Sequence, residues 1–160
     1  MLKYVNTDIV FQEFPDEVTL AINLSNCPCH CPGCHSAYLW QDIGQPLTIH
    51  RLEELLSEEA IPDLTCVGLM GGDAEPKSVS ELARYLRQAH PELKIGWYTG
   101  RTTIASDIDR RCFDYIKVGP YLRHLGGLDS PRTNQRMFHL CAGPTAEPVM
   151  NDITARFRKG

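Results

Sequence analysis

The sequence contains no long apolar run and no strongly basic region. No stretch of its 160 residues approaches the roughly 18 apolar residues that a membrane helix needs. Residues 1–6 show neither the apolar core nor the cleavage site of a secretory signal. The 16 basic residues are outnumbered by 20 acidic ones, and no basic stripe precedes the last few positions. We therefore expect a cytoplasmic protein that neither enters a membrane nor binds nucleic acid.

The sequence also lacks the cysteine pattern of a disulfide framework. It has seven cysteines, an odd number, and no secretion signal, which disfavours disulfide bonds. Zinc sites usually pair two knuckles a dozen or more residues apart, and a second C-x₂-C or H-x₃-H is missing from the sequence. We interpret Cys66, Cys112 and Cys141, which lie far apart, as buried small hydrophobic residues rather than ligands.

The other four cysteines lie within eight residues of one segment, which we call the cluster loop (residues 26–35). Cys27, Cys31 and Cys34 form a C-x₃-C-x₂-C motif, whose three thiolates can bind three irons of a 4Fe–4S cubane and leave the fourth iron open for chemistry. Cys29 makes the register ambiguous, because Cys29, Cys31 and Cys34 form a second set. The less favoured alternative is a structural zinc site, with Cys31, Cys34 and two of Cys27, Cys29, His30 and His35 as ligands.

Apolar strands alternate with amphipathic helices along the chain, a pattern that predicts βαβ units and a parallel sheet. A closed eight-stranded β/α barrel takes about 250 residues, so we expect a single domain (residues 1–160) that builds only part of one. The segment from residue 144 onward is left unassigned. We predict strands at 18–24, 66–70, 93–98 and 115–118, after a short strand or arm at 9–11. We also predict a helical turn at 36–40, two helices with Thr48 and Ser78 as their N-caps, and a weaker helix over 103–111.

Glycine and polar motifs follow these strands at their carboxyl ends, the edge where α/β proteins place their sites. Gly71-Gly72-Asp73 comes after the second strand, where two glycines let a ligand approach the backbone closely. Tyr98-Thr99-Gly100-Arg101 ends the third strand with hydroxyls and a cation, which suit a ribose or a carboxylate as well as a solvated turn. Because the strands are parallel, we expect the motifs to converge in space.

Together these motifs resemble the small radical S-adenosylmethionine enzymes, and among them the activating proteins of anaerobic ribonucleoside-triphosphate reductases. The likeness spans residues from about 18 to 140 and implies an open, partial parallel β/α barrel of the radical enzyme type. The sequence departs from the family at Gly33, where many members have an aromatic residue, at the extra Cys29, and at Ala74-Glu75, which separate Asp73 from proline. The motifs that carry the resemblance are C-x₃-C-x₂-C, Gly71-Gly72-Asp73, Tyr98-Thr99-Gly100, Gly119-Pro120 and Asn134-Gln135-Arg136.

The resemblance also implies a site and a reaction. Reduced flavodoxin or ferredoxin would supply an electron for the cleavage of S-adenosylmethionine to methionine and a 5′-deoxyadenosyl radical, which removes hydrogen from a backbone glycine of the large reductase subunit. The alternatives are an activase of another glycyl-radical enzyme, such as formate acetyltransferase, and a non-catalytic zinc-binding interaction module. Roles for Arg101, residues 134–136 and the basic tail are left open. The implied ligands are Cys27, Cys31 and Cys34 for the 4Fe–4S cluster, and Gly33, Cys34, His35, Gly71, Gly72, Asp73 and Thr99 for S-adenosylmethionine.

Overall fold

The computed structural model describes residues 2–29, 37–59, 61–141 and 147–157. Within these ranges, eight strands form one mixed sheet in the order β3-β1-β2-β4-β5-β6-β7-β8. None of the helices in this part of the chain is long and apolar enough to cross a membrane. The elements are β1 (Lys3–Val10), β2 (Thr19–Leu24), β3 (Gln45–Pro46), α1 (Ile49–Glu59), β4 (Cys66–Met70), α2 (Pro76–Ala89), β5 (Lys94–Tyr98), β6 (Tyr115–Val118), β7 (Arg136–Cys141) and β8 (Val149–Asp152), with 3₁₀ turns at Ala37–Trp40, Arg110–Cys112 and Thr154–Phe157.

The centre of the sheet is parallel. Strands β2, β4, β5 and β6 pair side by side in that order, so their carboxyl ends share one edge. The sequence-based strand predictions are confirmed here, with bounds that differ by at most one residue. The open barrel remains a prediction, since the architecture observed is a mixed sheet.

Antiparallel strands flank the parallel centre on both sides. β1 pairs with β2 and β3, and it is longer than the predicted arm at 9–11. β7 and β8 extend the opposite side beyond β6. The sequence predicts neither of these two strands, because residues 136–141 mix charged, aromatic and apolar types and the segment from residue 144 onward has no assignment.

Two of the three helix predictions need correction. Helix α1 starts after Thr48, whose Oγ1 accepts a hydrogen bond from the Arg51 amide at 3.1 Å, so this N-cap is confirmed. Helix α2 instead begins at Pro76, before Ser78; proline is favourable at the first position because its missing N–H would have no partner there. The helix over 103–111 is wrong: Thr and Asp are weak helix formers, and only the Arg110–Cys112 turn forms, capped by Asp109.

The two faces of the sheet are packed differently. The face toward α1 and α2 carries the larger apolar core, which includes Leu69 and Trp97. On the other face, Phe14 is fully buried against Tyr98 and Tyr115. Among the described residues no α-helix packs on this face, which we call the helix-free face, although the 3₁₀ turn at Thr154–Phe157 contributes Phe157 to it. Glycines at two neighbouring strand positions make room for the Phe14 ring, which would lie 2.9 Å from a Cβ on Gly68 and 2.3 Å from one on Gly96.

Candidate iron–sulfur site

The cluster loop leaves β2 at the carboxyl edge of the parallel strands. Asn26 adopts a left-handed conformation (φ 59°), which asparagine tolerates better than most residues. The Asn26 amide donates to the Gln41 carbonyl and the Cys27 amide to the Leu39 carbonyl, each at 2.9 Å. These bonds direct the half-buried Cys27 and Cys29 toward the ends of β4 and β5. Four predicted site residues, Cys31, Gly33, Cys34 and His35, lie outside the described residues.

The Gly71-Gly72 turn begins directly after β4. Both glycines have positive φ, 109° and 88°, a conformation that other residues rarely adopt. A Cβ on Gly72 would lie 2.5 Å from Val79 Cγ2, so α2 packs directly on the backbone. The Gly71 amide donates to the Tyr98 carbonyl at 3.0 Å, and Trp97 Nε1 donates to the Gly71 carbonyl at 2.7 Å. The turn is therefore held against the end of β5.

The Asp73 carboxylate connects three loops. Asp73 is only 5% exposed, and Thr99 is 1% exposed. Asp73 Oδ1 accepts a hydrogen bond from the Thr99 hydroxyl. Asp73 Oδ2 accepts one from the Gly100 amide at 2.9 Å and one from Cys29 Sγ at 3.5 Å. The predicted convergence of the loops after β2, β4 and β5 is observed at this carboxylate.

Cys29 lies in the interior of this arrangement. The ligand atoms of Cys27, Cys29 and Asp73 all lie within 4.8 Å of one another. A Cβ on Gly100 would lie 2.9 Å from the Cys29 sulfur, so the thiol rests directly on the glycine backbone. Burial, followed by the negative charge of Asp73, raises the pKa of Cys29 to about 12. The thiol is thus a hydrogen-bond donor to the carboxylate.

The other cysteines divide into two groups. Cys66 and Cys112 are buried, at 0% and 5% exposure, which confirms their interpretation as small hydrophobic residues. Burial raises the pKa of Cys66 to about 12, so its thiol stays protonated at neutral pH. Cys141 is only half-buried, and its sulfur lies 3.5 Å from His139 Nδ1 on β7. The buried interpretation is therefore wrong for Cys141.

The polar motifs after β5 and β6 hold the same edge together. The Gly119 amide donates to the Arg101 carbonyl at 2.8 Å. Asn134 Nδ2 donates to the Pro120 carbonyl at 3.0 Å, and Gln135 Nε2 donates to the Gly119 carbonyl at 3.3 Å. These side chains thus fix the turn after β6. Arg136 is separate, because it begins β7 and faces Asp152 at 3.6 Å.

A cavity of about 650 Å³ opens on the helix-free face. Lys117, which is 7% exposed, lines it with its Nζ 4.9 Å from the centre of the Tyr98 ring, a favourable cation–π arrangement. The Tyr98 hydroxyl donates to the Glu13 carbonyl at 2.6 Å, and burial raises the pKa of Tyr98. Sequence reasoning missed Lys117; the one signal was a cation inside the apolar strand Tyr-Ile-Lys-Val.

Residues 18–118 match the model of the 4Fe-4S single cluster domain family, and the chain belongs to this family. No curated protein and no solved structure matches the chain. The matched range runs from the start of β2 to the end of β6, so it contains the cluster loop and all four parallel strands. The thiol of Cys27 is a donor of the kind that iron–sulfur clusters use. The family match therefore favours an iron–sulfur cluster over zinc.

Proposed function

We propose that the chain is a radical S-adenosylmethionine enzyme that activates an anaerobic ribonucleoside-triphosphate reductase. The observation that carries the proposal is the buried Asp73 carboxylate, which joins the cluster loop to the ends of β4 and β5. An electron carrier needs only to hold its cluster. Here the cluster loop is attached to a glycine turn and a hydroxyl-bearing strand end, which suits a second, polar ligand beside the cluster.

Cys27, Cys31 and Cys34 would hold the 4Fe–4S cluster. When bound, the cluster would supply the electron that cleaves S-adenosylmethionine to methionine and a 5′-deoxyadenosyl radical, the species that takes hydrogen from a partner's glycine. The attachment of the Asn26 and Cys27 amides to the Leu39–Gln41 segment gives the loop a fixed base. These residues bind and position, and the cofactors supply the chemistry.

Asp73 can still accept another donor. A carboxylate offers about four acceptor positions, and the described residues use three of them, through Thr99, Gly100 and Cys29. We propose that the remaining position, with the adjacent Gly71-Gly72 backbone, meets the methionine ammonium of S-adenosylmethionine. Thr99 would then orient the carboxylate, and Gly33, Cys34 and His35, which lie outside the described residues, would line the cofactor from the cluster loop.

The helix-free face is the proposed approach for the partner. Helices α1 and α2 pack on the opposite face, so a folded reductase can reach this side without displacing either of them. The cavity beside Tyr98, Lys117 and Gln135 opens on this face and offers both polar and aromatic groups to a polypeptide segment. An open, partial barrel would provide such access, with reduced flavodoxin or ferredoxin as the electron donor.

The test is anaerobic incubation of the reconstituted protein with S-adenosylmethionine and a reductant. We expect 5′-deoxyadenosine, and a glycyl radical detected by EPR when the anaerobic reductase is added. Formate acetyltransferase in a parallel sample tests the other activase, and a radical there alone would replace the proposed partner. A colourless protein that retains one zinc and forms no 5′-deoxyadenosine would refute the radical enzyme.

A further inference from the structure

We infer that Cys29 is a positioning residue, which ties the cluster loop to Asp73 and Gly100 and does not bind iron. Nothing in the C-x₃-C-x₂-C motif assigns a role to this fourth cysteine. Its side chain nevertheless makes two specific contacts in the structure. Sγ donates to Asp73 Oδ2 at 3.5 Å, and the same sulfur covers the Gly100 backbone.

The Asp73 hydrogen bonds explain why this contact matters. Oδ2 receives both the Cys29 thiol and the Gly100 amide, so the cluster loop and the end of β5 share one acceptor atom. The carboxylate is itself held by Thr99 at Oδ1. Because Asp73 is almost fully buried, water cannot easily replace a donor that is lost.

Packing at Gly100 also supports a positioning role for Cys29. A Cβ at this position would lie 2.9 Å from Cys29 Sγ and 3.2 Å from Cys29 Cβ. The absence of a side chain at residue 100 therefore lets the cysteine lie against the strand end. Both contacts hold the thiol against the protein, while its sulfur and the Cys27 sulfur lie within 4.8 Å of each other.

The first readout is the iron content after anaerobic reconstitution. Cys29→Ala and Cys29→Ser should each keep about four irons per chain, the content of a 4Fe–4S cluster. Cys27→Ala serves as the ligand-loss control and should fall well below that value. Cys141→Ala, which removes a half-buried cysteine on β7, controls for loss of a thiol elsewhere. Iron in Cys29→Ala as low as in Cys27→Ala would make Cys29 a ligand and overturn the inference.

The second readout is hydrogen exchange at the Gly100 amide. It detects the tether, by which we mean the contacts of Cys29 with Asp73 and Gly100. Without the thiol, the bond from Gly100 to Asp73 loses its cover, so exchange in Cys29→Ala should be roughly three- to tenfold faster, as for loss of one modest hydrogen bond. Cys29→Ser keeps a donor and should restore exchange to nearly the wild-type rate. Unchanged exchange in Cys29→Ala would refute the tether. If the alanine variant does not fold, the iron content of Cys29→Ser still decides whether Cys29 binds iron.

A third readout rests on the proposed function. Weaker positioning of Asp73 should raise the dissociation constant for S-adenosylmethionine about three- to tenfold in Cys29→Ala and leave it within about twofold in Cys29→Ser. If the wild-type protein does not bind S-adenosylmethionine, the proposed function fails. Iron content and amide exchange would then still decide the role of Cys29, because neither measurement involves that cofactor.

Discussion

Gly96 is a position at which a single methyl group should disturb the core of the sheet. It lies in the middle of β5, under the ring of Phe14 on the helix-free face. A Cβ there would lie 2.3, 2.4 and 2.8 Å from three atoms of that ring. These distances are far below van der Waals contact, so Gly96→Ala must either shift the ring or expel it.

The loss of stability can be bounded from both sides. Overpacking by a methyl group costs about 1–3 kcal/mol when the neighbours can adjust. Complete expulsion of a buried phenylalanine is comparable to Phe→Ala, about 3–5 kcal/mol. Phe14 is fully buried and its ring centre lies 5.2 Å from that of Tyr98 and 5.5 Å from that of Tyr115. We therefore expect Gly96→Ala to lower the free energy of unfolding by about 2–4 kcal/mol.

Urea denaturation of the two variants and their combination tests the reasoning. In Phe14→Ala the ring is absent, so adding Gly96→Ala should cost at least about 1 kcal/mol less than it does in the wild-type protein. Gly127→Ala is the matched control, because its Cβ would meet nothing closer than 3.9 Å, and it should change stability by less than about 0.5 kcal/mol. Additive effects of the two substitutions, or a neutral Gly96→Ala, would refute the proposed contact.

Three further predictions concern the Asp73 carboxylate, the contact between Glu53 and Tyr85, and the cluster ligand Cys27. Thr99→Val leaves Asp73 Oδ1 without its donor and should cost about 1–3 kcal/mol in urea denaturation; a loss below about 0.5 kcal/mol would contradict the shared role of the carboxylate. The hydrogen bond from Tyr85 lowers the pKa of Glu53 below its ordinary 4.5. The ionised Glu53 therefore stabilises the fold above pH 4.5, and this stabilisation is lost as the pH falls through the lowered pKa. Glu53→Gln removes the titrating group, so the melting temperature should fall less steeply with decreasing pH in the acid range. Cys27→Ala should lose most of the iron and the brown colour of the reconstituted cluster. Full retention of both would indicate that Cys29, Cys31 and Cys34 are the cluster ligands.

The parallel strands could be predicted from the sequence because each is a short apolar run that ends in a glycine motif or, for β2, in the cluster loop. Cys66-Val67-Gly68-Leu69-Met70 and Tyr115-Ile116-Lys117-Val118 have no competing helical pattern. Strand β7 could not be predicted in the same way. Its residues Arg136–Cys141 mix charged, aromatic and apolar types, and it becomes a strand through pairing with β6 and β8, which is tertiary context.

The site was predictable as a location but not as a set of bonds. Parallel strands share a carboxyl edge, so the sequence could predict that Gly71-Gly72-Asp73 and Thr99-Gly100 would meet. It could not predict that Asp73 would accept hydrogen bonds from Thr99, Gly100 and Cys29, because the sequence does not give the relative register of two strands. The contact of Cys29 is the clearest case, since the spacing of the cysteines left its role open.

The register also connects Phe14 to the site at the sheet edge. Gly68 and Gly96 are register partners in β4 and β5, as are Met70 and Tyr98 at the strand ends. The Phe14 ring requires two glycines side by side beneath it, since a Cβ on either would overlap the ring. A slip of two residues would separate the glycines and move Thr99 about 6–7 Å along β4, away from the turn that carries Asp73. This would break the hydrogen bond between Thr99 and Asp73. Packing on the helix-free face therefore selects the one register in which Asp73 can join the cluster loop to β5.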